Sequence, residues 1–175
     1  MSMTQIAFLK KAELPTNRQI QESIQYLGYD FKILGDLDKQ IDENGLECSI
    51  NGQQTFFETY LENADDYTTD TDLMEREICD KDTTVLFIWG ADYAAGACIG
   101  LISIALIDRS QALIYYMDDQ MKYTRDMLIA DIPQFLEKLK RQDSMNKVEG
   151  KDYKSNQTTD KTKRNFRERL KALFR

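Results

Sequence analysis

The spacing of apolar residues divides the first 142 residues into short strands and longer helices. Apolar runs of about four to eight residues bounded by turn formers predict strands, and apolar residues that recur every three or four positions predict helices. The pair Asn51-Gly52 lies between two such runs and favours a two-residue type I′ hairpin turn. The predicted order is β-α-β-β-β-β-α-β-α, with strands within 4–11, 29–35, 45–50, 53–62, 83–89 and 112–117 and helices within 15–28, 93–107 and 124–142.

This order predicts an α+β fold, in which a central, largely antiparallel sheet of about five strands has helices packed on it. We expect Thr16 to cap the first helix and Gly28 to end it, since these residue types suit the two helix termini. Pro133 is expected to kink the last helix. The stretch TTVLFIW (83–89) is apolar along most of its length, which is typical of a strand in the interior of a sheet.

The most apolar stretch is WGADYAAGACIGLISIALIDRS (89–110), which has no charged residue between Asp92 and Asp108. A membrane-spanning helix needs about 20 mostly apolar residues, so this shorter run indicates a helix buried in the core of a folded domain. Gly96 and Gly100 are expected to let that helix lie close to the sheet, because glycine has no side chain. A dinucleotide-binding loop is not predicted, since the G-x-G-x-x-G spacing is missing.

Composition changes at residue 143 and predicts a globular domain, 1–142, followed by a tail, 143–175. The stretch DSMNKVEGKDYKSNQTTDK is polar and has no apolar period, which predicts a flexible linker. The stretch KTKRNFRERLKALFR places Phe166, Leu170 and Phe174 on one side of a helical wheel and basic residues on the other. This basic amphipathic segment would either fray, dock on its own domain, or bind a partner, a nucleic acid or a membrane surface.

The residue types present narrow the chemistry of the chain. Its 175 residues include no histidine, which removes the commonest general base and the commonest metal ligand. Cys48, Cys79 and Cys98 form no C-x-x-C pair, so we expect reduced thiols without a disulfide frame or a zinc site. The N-terminal stretch lacks the layout of a secretory signal, and we therefore expect a cytoplasmic protein. We expect no enzymatic activity, no cofactor and no metal.

Charge is distributed unevenly along the chain, which carries a net −7. The tail from residue 143 holds 10 Lys/Arg and 5 Asp/Glu, a net +5, so the domain 1–142 carries −12. Residues 62–82 alone hold nine acids and two bases. Such a run is usually a solvated loop, but nearby tyrosines make it typical of a protein-binding surface. A calcium loop is not indicated, because the D-x-[DN]-x-[DN]-G frame is missing.

The acidic segment and its aromatic neighbours form the predicted partner-binding site. An acidic surface repels phosphate and attracts a basic protein domain, so we expect a basic protein partner and neither nucleic acid nor membrane. A purely structural role is the alternative for the residues that follow the strand 83–89, with Asp92 as a helix cap. The predicted contact residues are Tyr60, Glu62, Asp65, Asp66, Tyr67, Asp70, Asp72, Glu75, Trp89, Asp92 and Tyr93.

Two passages of the chain carry a resemblance to a known group of proteins. TVLFIWGADYAAGACIGLISIALIDRSQALIYYMDDQ, together with FLKKAELPTNRQIQESI, resembles small bacterial cytoplasmic proteins that include immunity proteins of type VI, Rhs and contact-dependent inhibition systems. The shared features are an apolar strand ending in Trp-Gly, an acidic residue soon after, an Ala-rich helix, and a strand ending in acids. The resemblance covers roughly 4–140 and implies a binding role without a catalytic residue.

These observations lead to one expected function and two alternatives. We expect a cytoplasmic immunity protein that binds a cognate interbacterial toxin domain and neutralises it by steric and electrostatic occlusion. One alternative is an intracellular adaptor that works through its basic tail, and the other is a carboxylate-dependent enzyme. Complementary charge suits the first function, because it speeds the encounter of an inhibitor with a scarce toxin.

Removal of residues 143–175 should leave the thermal midpoint nearly unchanged, because the predicted core elements are complete before the tail. The measurement is thermal unfolding of the full chain and of a chain that ends at Gln142. About 1 kcal/mol moves the midpoint by only about 2–4 °C in a domain of this size. A fall of many degrees would therefore contradict the prediction and indicate that Phe166, Leu170 and Phe174 dock on the domain.

Overall fold

The fold is an antiparallel sheet with helices on one face, as described by a computed structural model for residues 2–67, 77–117 and 121–149. The elements in these ranges are β1 (Met3–Leu9), α1 (Asn17–Gln25), β2 (Phe31–Ile33), β3 (Leu46–Ile50), β4 (Gln53–Asn63), β5 (Thr83–Trp89), α2 (Tyr93–Ser110), β6 (Leu113–Tyr116), β7 (Met121–Tyr123) and α3 (Arg125–Glu149). The strand order is β2-β3-β4-β5-β1-β6-β7, and each neighbouring pair is antiparallel. The predicted α+β class and antiparallel sheet are confirmed.

The described part of the sheet has seven strands, so the prediction of about five was too low. The three-residue strand β7 had no signal of its own in the sequence. It forms by pairing with β6, from Ile114 opposite Tyr123 to Tyr116 opposite Met121. A strand of three residues is too short to show an apolar period, so the sequence pattern could not predict it.

The predicted turn and cap residues are confirmed. Thr16 caps α1 by accepting a hydrogen bond from the backbone N–H of Gln19, whose side chain in turn accepts from the N–H of Thr16. The helix ends before Gly28, which has a φ of 80°. Asn51 and Gly52 both have positive φ, 51° and 80°, as a type I′ hairpin turn requires.

Two hydrophobic clusters cover opposite faces of the sheet. On the helical face, alternate strand residues such as Phe57 and Phe87 pack against the three helices. On the outer face, the intervening residues of the central strands pack against the acidic segment that follows β4. Because β1 and β5 are buried on both faces, their sequences are largely apolar without alternation, as predicted for β5. The outer-face cluster consists of Ile6, Phe8, Ala64, Tyr67, Ile78, Leu86 and Tyr115.

The most apolar stretch of the chain forms α2, which lies between the sheet and the other helices. Among the described helices, α2 is long and apolar enough to cross a membrane by length and composition. However, 78% of its 18 residues are buried within the fold. Its residues are apolar on all sides because the sheet contacts one side and α1 and α3 contact others.

Gly96 and Gly100 face α3 and not the sheet, so the predicted reason for these glycines was wrong. A Cβ placed on Gly96 would lie 2.7 Å from Cε1 of Phe135, and a Cβ on Gly100 would lie 3.1 Å from Cγ1 of Ile132. Both neighbours belong to α3. The glycines therefore let two helices approach each other closely, which is the usual role of small residues four positions apart.

The last helix extends beyond its predicted end. We expected a flexible linker from residue 143, but α3 continues through Glu149. Pro133 lies within α3 and does not end it. Met145, in this added part of the helix, is 71% exposed. The remainder of the predicted tail, 150–175, lies outside the described residues.

The substitution Gly96→Val should destabilise the fold, because the added side chain would overlap the Phe135 ring and force α2 and α3 apart. We expect a loss of about 1–3 kcal/mol in the free energy of unfolding, measured by urea denaturation. Gly90→Val is the control, since a Cβ on Gly90 would meet nothing within 4 Å. Equal losses in the two variants would contradict the close approach of the helices at Gly96.

Candidate functional site

The acidic segment after β4 is attached to the outer face of the sheet. A short 3₁₀ turn, Ala64–Tyr67, buries its first and last residues against the sheet and exposes the two aspartates between them. Ile78 returns the chain to the same cluster before β5 begins. Asp70, Asp72 and Glu75 of the predicted site lie outside the described residues. The two ends of the segment are therefore anchored by apolar contacts, while Asp65 and Asp66 face solvent.

Two aromatic residues of the predicted site are buried. Tyr67 is 1% exposed and packs edge-on against Phe8, and its hydroxyl donates to a carboxylate oxygen of Glu62. Trp89 is 5% exposed and belongs to the core on the helical face. The expectation that these side chains lie on the binding surface was wrong. Tyrosine and tryptophan have large apolar rings that a core can bury, so proximity to acids in sequence does not indicate exposure.

Asp92 and Tyr93 occupy the turn between β5 and α2. The carboxylate of Asp92 accepts hydrogen bonds from the N–H groups of Ala94 and Ala95, and from the hydroxyl of Thr55 at 2.6 Å. This confirms the structural alternative, in which Asp92 caps the helix. Tyr93 is half-buried, with the ammonium group of Lys138 5.7 Å from its ring centre. Both residues lie on the helical side of the sheet, away from the acidic segment.

Where β3 and β4 pair, the outer face carries exposed side chains. Phe56, on β4, is 56% exposed, and its ring lies over Gly45, where a Cβ would come within 2.7 Å of Cε2 of that ring. Glu47 lies opposite Phe56 across the strand pair and is exposed. Glu58 follows on the same face of β4. An exposed aromatic ring therefore lies between carboxylates on a flat, hydrogen-bonded surface.

We define the acidic outer face as Glu47, Phe56, Glu58, Tyr60 and Glu62 with the adjoining Asp65 and Asp66. Alternation along β4 places Phe56, Glu58, Tyr60 and Glu62 on the same side, because Thr55, Phe57 and Thr59 point to the helices. The hydroxyl of Tyr60 donates to Glu58 at 2.6 Å. Thus the structure brings together Tyr60, Glu62, Asp65 and Asp66 of the predicted site, and it leaves Trp89, Asp92 and Tyr93 elsewhere.

Phe56 was missed in the sequence analysis, although the sequence contains a signal for it. Successive strand residues point to opposite faces, so Phe56 and Phe57 cannot both be in one core. Phe57 alternates with the buried Thr55 and Thr59, which leaves Phe56 on the opposite face. The pattern does not show whether that face is covered, because coverage depends on residues that are distant in the sequence.

A small network ties the end of the acidic segment to the sheet. A carboxylate oxygen of Glu77 accepts from the ammonium group of Lys122 at 2.7 Å and from the hydroxyl of Tyr115 at 2.9 Å. The hydrogen bonds from Lys122 and Tyr115 hold the pKa of Glu77 below its ordinary value. Burial, with the neighbouring Glu77, raises the pKa of Tyr115. Tyr115 therefore stays protonated and donates to the carboxylate at neutral pH.

The cysteines offer no reactive thiolate on the helical face. Cys48 on β3 and Cys98 on α2 are both buried. The hydrogen bond with Cys98 and burial raise the pKa of the Cys48 thiol, which therefore stays protonated. Within 2–67, 77–117 and 121–149, no three Cys, Asp or Glu side chains are grouped so that they could hold a metal ion.

Comparison of the chain with protein-family models, with curated proteins and with solved structures found no match. The resemblance to immunity proteins therefore stays a prediction that rests on the residues of this chain.

The substitution Glu77→Gln should reduce stability at neutral pH, because it removes the charge that Lys122 and Tyr115 stabilise. The depressed pKa in the folded state means that this contribution is present above the ordinary pKa of 4.5. It is lost as the pH falls from there through the folded pKa. We expect a loss of about 0.2–1 kcal/mol, since the Glu77 side chain is 46% exposed and its ion pair is screened by solvent.

Urea unfolding of both proteins at pH 7 and at several acidic pH values measures this difference. The free energies of unfolding should converge at low pH, where the carboxylate is protonated in both states. Glu137→Gln is the control, because it also removes one glutamate charge from an ion pair. That pair, with Arg141 on α3, is exposed to solvent. A constant difference between Glu77→Gln and the unchanged protein across the whole pH range would contradict the assignment.

Proposed function

We propose that the chain is a cytoplasmic immunity protein that binds and neutralises a cognate interbacterial toxin domain. The toxin would belong to a system of the type VI, Rhs or contact-dependent inhibition kind, as the resemblance implies. Inhibition would be steric and electrostatic, through occupation of a basic cleft by the acidic outer face. This function needs a preformed surface and no catalytic group on the inhibitor.

The observation that carries the proposal is the exposed Phe56 among carboxylates. Aromatic residues are enriched at protein interfaces relative to the rest of the protein surface, and the ring of Phe56 is accessible beside carboxylates. Aromatic residues also dominate the energy of protein interfaces when a partner excludes water from around them. The flanking Glu47 and Glu58 fit arginine in particular, because a guanidinium group can stack on an aromatic ring while it pairs with a carboxylate.

The charges on this surface support a basic partner. The chain carries −7 overall, and the acidic outer face collects Glu47, Glu58 and Glu62 on two neighbouring strands. Grouped charge of one sign attracts the opposite charge at long range and raises the association rate at low salt. Toxins that act on nucleic acids or nucleotides need basic clefts for their substrates. An acidic protein surface can block such a cleft without itself binding the substrate.

The strands that form the acidic outer face also support tight inhibition. β4 pairs with β3 from Gln53 to Phe57 and with β5 from Glu58 to Asn63, so each half of the strand beneath the surface is hydrogen-bonded to a neighbouring strand. A rigid surface loses little conformational entropy when it binds. The contacts would thus be available without a folding step, which suits rapid capture of a toxin.

The triple variant Glu47→Gln, Glu58→Gln, Glu62→Gln should weaken protection against the toxin while it keeps the fold. The candidate toxin would be a toxin domain encoded by an adjacent upstream reading frame, and it would be co-expressed with each variant while growth is measured. Loss of three surface charges should slow association by about tenfold or more and flatten its dependence on salt. Glu22→Gln, Asp126→Asn, Glu137→Gln is the matched control, because it removes three exposed charges from the helices.

Phe56→Ala should weaken the complex mainly by faster dissociation, since an apolar anchor acts after the encounter. Urea unfolding separates this effect from any loss of stability caused by uncovering Gly45. Full protection by both the triple variant and Phe56→Ala, with unchanged binding kinetics across salt, would place the interface elsewhere. An adjacent reading frame whose product is harmless to unprotected cells would contradict the immunity function itself.

A further inference from the structure

A cavity of about 180 Å³ lies on the helical face of the sheet, opposite the acidic outer face. Its floor is formed by strands β1, β5, β6 and β7, and its roof by α2 and α3. The glycines of α2 contribute to the space, because Gly96 and Gly100 line the cavity without side chains. A cavity of about 150 Å³ lined by apolar groups is known to accept benzene, so this space suits one substituted aromatic ring.

Aromatic side chains form much of the cavity wall. Trp89 and Tyr116 meet with ring centres 6.2 Å apart and planes inclined by 60°, and Tyr116 and Tyr123 with centres 6.0 Å apart and planes inclined by 53°. Phe135 lines the cavity from α3. Rings that meet at such angles present both edges and faces to the space between them. A planar ring is the ligand shape that makes the most contact with such a wall.

The indole group of Trp89 has an unsatisfied hydrogen-bond donor. Its Nε1 is buried and has no acceptor among the residues that the structure describes. A buried N–H without a partner is costly and rare in folded proteins, so it calls for a physical reason. Trp89 lines the cavity, so a ligand bound there would lie next to the indole ring that carries this donor. A ligand with a hydrogen-bond acceptor would remove the cost of the unpaired N–H.

Two further polar groups define the chemistry of the cavity. Gln5 is buried on β1 and donates from Nε2 to the hydroxyl of Ser103 on α2, which holds its side chain in place. Asp131 on α3 is half-buried, accepts a hydrogen bond from the side-chain amide of Gln134 at 3.4 Å, and also lines the cavity; among the described residues, the lining includes no basic side chain. A carboxylate in this position accepts hydrogen bonds and favours a donor or a positive charge. The cavity therefore disfavours anions.

We propose that this cavity binds a small heteroaromatic amine, a planar ring that offers an acceptor to Trp89 Nε1 and an N–H donor to Asp131. Dispersion contacts with the aromatic wall supply most of the binding energy, and the two hydrogen bonds select the ring chemistry. The site is independent of the proposed immunity function, since the sheet separates it from the acidic outer face. Failure of either proposal leaves the other unaffected.

The chain has a single tryptophan, so the indole N–H of Trp89 gives one resolved signal in a ¹⁵N–¹H correlation spectrum. The probe is 2-aminopyridine, which is added in steps at a pH above its own pKa, so that its ring nitrogen is unprotonated and can accept a hydrogen bond. We expect a saturable downfield shift of the indole signal. Aniline has the same amino donor but no ring acceptor, and it should bind about tenfold more weakly. Benzoate should not bind.

Variants of α3 test the second contact. Asp131→Ala should weaken 2-aminopyridine binding by about tenfold, and Asp126→Ala should not, because Asp126 is exposed on the same helix and does not line the cavity. Thermal unfolding of both variants checks that they remain folded. The proposal is overturned if the indole signal does not move, if the shift fails to saturate, if aniline binds equally well, or if Asp131→Ala has no effect on binding.

Discussion

The enclosure of α2 is the constraint on which the rest of the fold depends. Eighteen residues that are apolar on nearly every side cannot face water at low cost, so the chain must surround them. The sheet covers one side, and α1 and α3 cover others. The N-terminus of α2 is fixed by the Asp92 carboxylate, and its contact with α3 is made close by two glycines four residues apart. In turn, α2 covers apolar side chains on the helical face of five strands, which are β1, β3, β4, β5 and β6.

The centre of the sheet imposes a second requirement, which links the fold to the proposed function. β1 and β5 are apolar on both faces, so the outer face also needs a cover. The described ends of the acidic segment provide it with Tyr67 and Ile78, and this attachment keeps Asp65 and Asp66 beside the sheet. Among the described residues this cover lies over the central strands, while Phe56 on β4 is exposed. Partial coverage therefore produces a surface that combines fixed carboxylates with one accessible aromatic ring.

Local signals in the sequence predicted most of the elements, because each depends on neighbours along the chain. The hairpin at Asn51-Gly52, the cap at Thr16 and the apolar strand 83–89 are of this kind. Such signals do not predict contacts between residues that are far apart in the sequence. The partner of Gly96 is Phe135 on another helix, the strand β7 exists only through its pairing with β6, and Tyr67 is buried by residues of β1. For the same reason exposed and buried aromatic residues of the predicted site were not distinguished, whereas Asp65 and Asp66 are exposed as the acidic pattern suggests.

The pleat of β5 explains why the two proposed sites can be tested separately. Ile88 and Trp89 are adjacent, yet Ile88 lies on the outer face beside Glu58, whereas Trp89 lies on the helical face beside the cavity. A substitution of a side chain on one face removes no side-chain contact on the other. Substitutions that share no contacts usually have additive effects on free energy. Binding of a basic partner and binding of a small ring should therefore not affect each other's affinity as long as the backbone of β5 stays paired with β1 and β4. In the folded protein β5 is paired with both strands, so this condition is met.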